Sequence, residues 1–89
     1  MLATAPEIHH RIGSIVSGRV VKSTRFGVFV DIGLPFDAFL DLANMDNPES
    51  NGFPEINSWI NAIVVSATPD GYARLSTRRD DVGEPRIKN

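Results

Sequence analysis

The chain has 89 residues, of which 42% are hydrophobic and 22% are charged, with a formal net charge of −2 and an isoelectric point near 5.5. This length predicts one domain with one small core, because a chain of this size buries only roughly 60% of its unfolded surface on folding. The absence of cysteine excludes disulfides and thiolate metal sites, and the acidic net charge argues mildly against a nucleic-acid ligand.

Neither a membrane span nor an export signal is visible in the sequence. No apolar run approaches the roughly 20 residues that a membrane-spanning helix needs. The N-terminal stretch MLATAPEIHH lacks the basic start and apolar segment of a signal peptide. We therefore expect a soluble, cytoplasmic protein that does not interact with membranes.

The N-terminal half of the chain predicts three strands. Residues 1–11 are expected to form an N-terminal arm, with His9 and His10 exposed to solvent. The segments SIVSGRVVKS, GVFVDI and DAFLDL are rich in β-branched and aromatic residues and are read as strands, with Gly33 and Pro35 marking the second turn. The next segment, ANMDNPESNGFPEIN, is so rich in turn-forming residues that it leaves room for at most one short helical turn.

The C-terminal half predicts two more strands, WINAIVVSA and YARLS, joined by a tight TPDG turn. Five short strands without a helical period fit an all-β fold, a five-stranded antiparallel barrel that closes on itself and so leaves no exposed edge. We place this domain at residues 12–77 and expect residues 78–89 to form a flexible charged tail.

Side chains alternate between the two faces of a strand, which predicts the core. In the second strand an unpaired Asp31 would be costly inside, so Phe29 beside it is predicted to be exposed, while the orientation of Phe26 before the strand stays open. Phe39 falls on the outer face of the third strand, although its size favours the core. Trp59 is expected to pack in the core or at its rim, and Ser76 to face outward. The predicted core is Val28, Val30, Ile32, Ala38, Leu40, Leu42, Val64, Ala73 and Leu75.

The sequence also resembles the ribosomal S-one RNA-binding domain family, an OB-fold module. Two ordered motifs of that family match the first two strands, and a third matches the last strand. The matching residues are Gly13, Ile15, Gly18 and Val20, then Phe26, Gly27, Phe29, Val30, Ile32 and Gly33, and finally Ala73, Leu75 and Ser76. The resemblance covers residues 12–76 and implies an OB-fold barrel.

The resemblance implies that Phe26 and Phe29 stack on nucleic-acid bases. Asp41 stands where the family usually carries a histidine, and Tyr72 where it usually carries a basic residue, with Arg74 two positions later. We therefore expect weak, sequence-tolerant binding of single-stranded RNA. The predicted RNA-binding residues are Arg19, Lys22, Arg25, Phe26, Phe29, Asp41, Tyr72 and Arg74.

A different function stays open, because exposed aromatic residues are also typical of protein interfaces. From Asp31 to Asp70 inclusive there are seven acidic residues and no lysine or arginine, which suits a module that binds a basic protein, as inhibitors and immunity proteins do. Neither an enzyme nor a small-molecule substrate is expected. We predict no cofactor and no metal site, since His9 and His10 lie in the arm and the acidic residues Asp31, Asp37 and Asp41 are read as solubilising charges.

Overall fold

The computed structural model describes residues 7–78 and shows a closed barrel of five strands. The predicted tail beyond Arg78 and residues 1–6 of the predicted arm lie outside the described residues. The strands are β1 (Ile15–Thr24), β2 (Gly27–Asp31), β3 (Ala38–Asp41), β4 (Trp59–Ala67) and β5 (Ala73–Ser76). The remaining elements are two 3-10 turns, Glu7–Arg11 and Leu42–Asn44, and a single helical turn, α1 (Pro48–Asn51).

The strands follow the order β1-β2-β3-β5-β4 around the barrel, and β4 pairs with β1 to close it. The predicted barrel is therefore confirmed, but its pairing is not antiparallel throughout. The pair β3 and β5 is parallel, and the other four pairs are antiparallel. A ring with an odd number of strands cannot reverse direction at every junction, so one pair has to run parallel.

The core is built from inward-facing aliphatic side chains of all five strands. Val28, Val30, Leu40, Val64 and Leu75 are completely buried, as alternation along the strands predicts. Ile32 lies beyond the end of β2 and is only partly buried against this cluster. Within residues 7–78, the buried apolar residues are Ile8, Val16, Val20, Val28, Val30, Ala38, Leu40, Met45, Ala62, Val64, Ala73 and Leu75.

Three burial predictions are wrong, and each error arises where a strand begins or ends. Leu42 is 39% exposed because β3 ends at Asp41 and the chain enters a 3-10 turn, where strand alternation no longer applies. Ser76 is fully buried, since the segment around Asn44 covers the end of β5 and the Ser76 hydroxyl donates to the Asn44 carbonyl oxygen at 3.3 Å. Trp59, the first residue of β4, faces outward and is 67% exposed.

Residues 8–13, just before β1, pack onto the barrel instead of extending into solvent. Ile8 is buried in the core, and the Gly13 N–H donates to the Val64 carbonyl oxygen at 2.7 Å. The His9 Nε2 atom lies 2.6 Å from the Thr68 carbonyl oxygen. From Ile8 onward the expected arm is thus part of the folded unit, because one apolar side chain and these hydrogen bonds hold it there.

Candidate nucleic-acid interface

Four side chains from four strands line up across the outside of the barrel. Lys22 of β1 is in register with Phe29 of β2. Phe29 is also in register with Phe39 of β3, and Phe39 is in register with Arg74 of β5. We call these four residues the outer row. It places two aromatic rings in the middle and one cation at each end.

A β-bulge in β1 positions the first member of this row. Val20 is in register with Val30, but the next pair joins Lys22 to Phe29, so Val21 is the extra residue. A bulge inserts one residue without a partner and re-aims the side chains that follow. Without it, Val21 would stand opposite Phe29, and the outer row would begin with an aliphatic side chain instead of a cation.

The two rings of the outer row pack against each other. The centroids of Phe29 and Phe39 are 4.9 Å apart with the ring planes tilted by 52°, which is within the favourable range for an aromatic pair. The Lys22 ammonium lies 5.8 Å from the Phe29 centroid, at cation–π distance. Phe29 lies on the outer face as predicted, but it is half-buried because Phe39 covers part of it.

Phe26 lies at the turn between β1 and β2 and is 63% exposed, which settles the orientation that the sequence left open. The Arg25 guanidinium carbon is 5.0 Å from the Phe26 centroid. The Thr24 hydroxyl fixes the turn, since it accepts from the Phe26 N–H at 3.1 Å and donates to the Gly27 carbonyl oxygen at 2.9 Å. The turn thus presents an accessible ring and a cation together.

A second aromatic pair lies next to the outer row and was missed by the sequence analysis. Tyr72, just before β5, is exposed and stacks on Phe36 from the β2–β3 loop, with centroids 4.3 Å apart and planes 28° from parallel. The parallel pairing of β3 with β5 brings these two rings together. No local signal around Phe36 reveals this contact.

Asp41 lies on the same outer face, in register with Gly27 at the end of β3. Its Oδ1 accepts from the Ala43 N–H at 2.9 Å and so caps the 3-10 turn that follows. The carboxylate is therefore tied to the backbone and has a structural role in addition to its charge. It places a negative charge two residues beyond Phe39 along β3.

Arg19 is the one predicted cation that lies away from the outer row and the Phe26 turn. It is half-buried on β1, in register with Asp31 of β2 and Trp59 of β4. Its Nη1 donates to the Asn57 Oδ1 at 2.9 Å. The structure thus gathers seven of the eight predicted residues around the outer row and places Arg19 at its border.

Within residues 7–78, no group of three or more His, Asp or Glu side chains could hold a metal ion. Within the same residues there is no helix of the length and apolar character needed to cross a membrane.

Comparison with known protein families identifies the family to which this barrel belongs. The sequence model described as the S1 RNA binding domain matches residues 9–58, which is over half of the chain. The chain belongs to the S1 RNA binding domain family. This confirms the resemblance drawn from the strand motifs, and it places Phe26, Phe29 and Asp41 inside the part of the S1 domain that the family model covers. A search of curated protein sequences found no significant match.

Solved structures with the same fold are distant in sequence. GSP13 from Bacillus subtilis superposes with a TM-score of 0.69 at 16% identity, over 88% of this chain and 63% of that one. The intact alpha subunit of aIF2 from Pyrococcus abyssi gives 0.61 at 22% identity, over 74% and 28%. A chain of the a/eIF2alpha-aDim2p-rRNA complex from Pyrococcus horikoshii OT3 gives 0.64 at 21% identity, over 76% and 44%. The S1 domain described here therefore spans less than two thirds of each of these chains, and the likeness establishes the fold.

Proposed function

We propose that this S1 domain binds single-stranded RNA weakly and with little sequence preference, using the outer row and the Phe26 turn. The observation that carries the proposal is the register that aligns Lys22, Phe29, Phe39 and Arg74 across four strands. Aromatic rings flanked by cations suit a single-stranded RNA, because its bases stack on rings and its phosphates pair with lysine and arginine. Such contacts accept any base, because every base has a π-face.

The ring at the turn is the most accessible stacking surface of this face. Phe26 is 63% exposed, whereas Phe29 and Phe39 are half-buried against each other. Stacking one base on an aromatic side chain contributes about 1–3 kcal/mol. Arg25, above the Phe26 ring, and Lys22, near the Phe29 ring, are placed to meet the phosphates on either side of a stacked base.

Asp41 works against this affinity. For two unit charges about 8 Å apart at an effective dielectric constant near 20, the repulsion is about 2 kcal/mol before salt screening. This is comparable to the contribution of one stacked base, which supports weak rather than tight binding. The likeness to a chain from a complex whose name includes rRNA supports RNA as the ligand class.

The proposal is tested by titrating a labelled single-stranded RNA of about 12 nucleotides with wild-type protein and following fluorescence anisotropy. We expect Phe26→Ala to weaken binding by about five-fold or more without loss of thermal stability, because the ring is largely exposed. The matched control is Ile15→Ala, which removes another exposed apolar side chain at the opposite end of β1, and it should bind like wild type.

The outcome that contradicts the proposal is wild-type protein that fails to bind RNA at low salt. That result would favour the other function considered for this sequence, a module that binds a protein through the same aromatic and acidic surface.

A further inference from the structure

A second outward-facing row lies beside the outer row and contains the chain's only tryptophan. Trp59 of β4 is in register with Arg19 of β1, and Arg19 is in register with Asp31 of β2. We call these three residues the tryptophan row. With 67% of its surface exposed, Trp59 is the most exposed of the large hydrophobic side chains in residues 7–78.

The two rows are adjacent on the barrel. Asp31 and Phe29 are two residues apart on β2 and so share its outer face at a spacing of about 6.6 Å. Trp59 lies two strands from β2, and strands are separated by about 4.8 Å. The Trp59 ring is therefore roughly 10 to 15 Å from the Phe29–Phe39 pair, on a continuous surface of the barrel. One extended single-stranded RNA can span this distance.

The surroundings of Trp59 suit a base better than a phosphate. A shallow depression beside the indole is lined by Ser17, Arg19, Asp31, Ile32, Gly33 and Trp59. Asp31 is held there by the Gly33 N–H, which donates to its Oδ1 at 2.9 Å, and its negative charge repels phosphate. Arg19 is fixed on the same surface through Asn57, and this bond uses one of the five N–H donors of a guanidinium.

Three cations lie along the Phe26 turn and β1, the strand shared by the outer row and the tryptophan row. Arg25, Lys22 and Arg19 follow one another from the Phe26 turn back along β1. A single-stranded RNA that runs from the outer row along β1 thus passes a cation before it reaches Trp59. OB-folds accommodate about 4–16 nucleotides, so a longer RNA extends beyond the two rings of the outer row.

We propose that Trp59 is a second stacking site, which receives a base of a single-stranded RNA whose other bases lie on the outer row. The inference rests on the proposed RNA binding and extends it to a separate surface, formed by β4 and β1. It predicts a footprint that depends on RNA length: an oligomer of about four nucleotides fills the outer row alone, and one of about 12 reaches Trp59.

Because Trp59 is the only tryptophan, its fluorescence reports on this site alone in the unmodified protein. We expect the 12-nucleotide RNA to quench or shift the emission at saturation, and the four-nucleotide RNA to leave it unchanged. In parallel, Trp59→Ala should weaken binding of the longer RNA by about five-fold to one-hundred-fold and leave the shorter one unaffected. Trp59→Phe, which keeps a ring, should restore part of the loss.

The outcomes separate this inference from the function on which it rests. If both oligomers bind, Phe26→Ala weakens both, and Trp59 fluorescence and Trp59→Ala show no effect with the longer one, then Trp59 is not a stacking site and the proposed RNA binding stands. If neither oligomer binds to wild type, both proposals fail. Quenching by the longer RNA with length-dependent loss in Trp59→Ala is the result that supports the second site.

Discussion

At the scale of single residues, Phe29 contributes to packing as well as to the proposed RNA-binding surface. Strand alternation correctly placed its ring on the outer face, but the ring is half-buried because Phe39 stands directly opposite on β3. Removing a ring that packs in this way costs stability, whether or not the ring also stacks on a base. Phe26, which has no such neighbour in register, carries the accessible part of the surface.

We therefore expect Phe29→Ala to lower the free energy of unfolding by about 1–2 kcal/mol, through loss of the aromatic pair and some buried area. RNA affinity should fall as well, by about 1–3 kcal/mol. Chemical denaturation and anisotropy measured on the same preparation separate the two effects, and Phe29→Tyr serves as the control that keeps the ring. Unchanged affinity in a folded Phe29→Ala protein would exclude the ring from the binding surface.

Asp41 also combines a structural and an electrostatic role. A histidine at this position would remove the charge but also the cap of the 3-10 turn, and losing a cap costs about 0.5–2 kcal/mol. Asp41→Asn removes the charge and keeps an oxygen that can accept from the Ala43 N–H. Asp41→Asn therefore tests the effect of the charge without loss of the cap.

We expect Asp41→Asn to raise RNA affinity several-fold at low salt, less at high salt because of screening, with no change in melting temperature. Asp41→His should also raise affinity but melt earlier. The matched control is Glu49→Gln in α1, which removes one negative charge away from the outer row and should change affinity little. Equal effects of Asp41→Asn and Glu49→Gln would mean that only net charge matters.

At the scale of elements, two glycines allow neighbouring strands to approach closely. A Cβ on Gly18 of β1 would lie 2.5 Å from the Val30 Cγ1 and 2.9 Å from the Asp31 carbonyl oxygen. At Gly27 of β2, where φ is +154°, a Cβ would collide with the Leu40 carbonyl oxygen and the Phe39 ring. Both contacts involve backbone atoms, which cannot move aside as a flexible side chain can.

Gly18→Val should accordingly destabilise the domain by about 1–3 kcal/mol, seen as a lower midpoint in thermal or urea unfolding. Ser17→Val is a suitable control, because Ser17 is exposed on the outer face of the same strand and the change should be within about 0.5 kcal/mol. If Gly18→Val melts at the wild-type temperature, β1 does not pack on β2 as described.

The sequence predicted the strands better than their arrangement. Strand composition and period-two alternation identified five strands and the Val28, Val30, Leu40 and Leu75 core, because these signals are local. The alignment of Phe39 with Arg74 depends on parallel pairing of β3 with β5, and Lys22 reaches Phe29 only through a bulge. The parallel pairing and the bulge both depend on how the barrel closes. A short window of sequence contains no signal for that closure.

At the scale of the whole molecule, acidic residues lie between the two cations of the outer row. β2 and β3 separate β1 from β5 on one side of the barrel, and β4 separates them on the other. Lys22 and Arg74 therefore lie at opposite ends of the outer row, with Asp31 and Asp41 on the strands between them. One face of the barrel thus carries two acids between two cations.

This arrangement predicts a modest dependence of RNA affinity on salt. With three exposed cations at phosphates (Lys22, Arg25 and Arg74), the logarithm of the association constant should fall with the logarithm of salt concentration with a slope of about −2. Lys22→Gln should reduce the magnitude of that slope by about 0.7. A slope near zero would mean that no phosphate is bound by this face.

The most direct test of the outer row is an amide chemical-shift titration of the isotopically labelled protein with single-stranded RNA at two salt concentrations. We predict the largest shifts at Lys22, Phe26, Phe29, Phe39 and Arg74, with saturation reached at lower RNA concentration in the low-salt buffer. Shifts confined to the side of the barrel where Ile15 pairs with Ile63, or no shifts at either salt concentration, would contradict the assignment of RNA binding to the outer row.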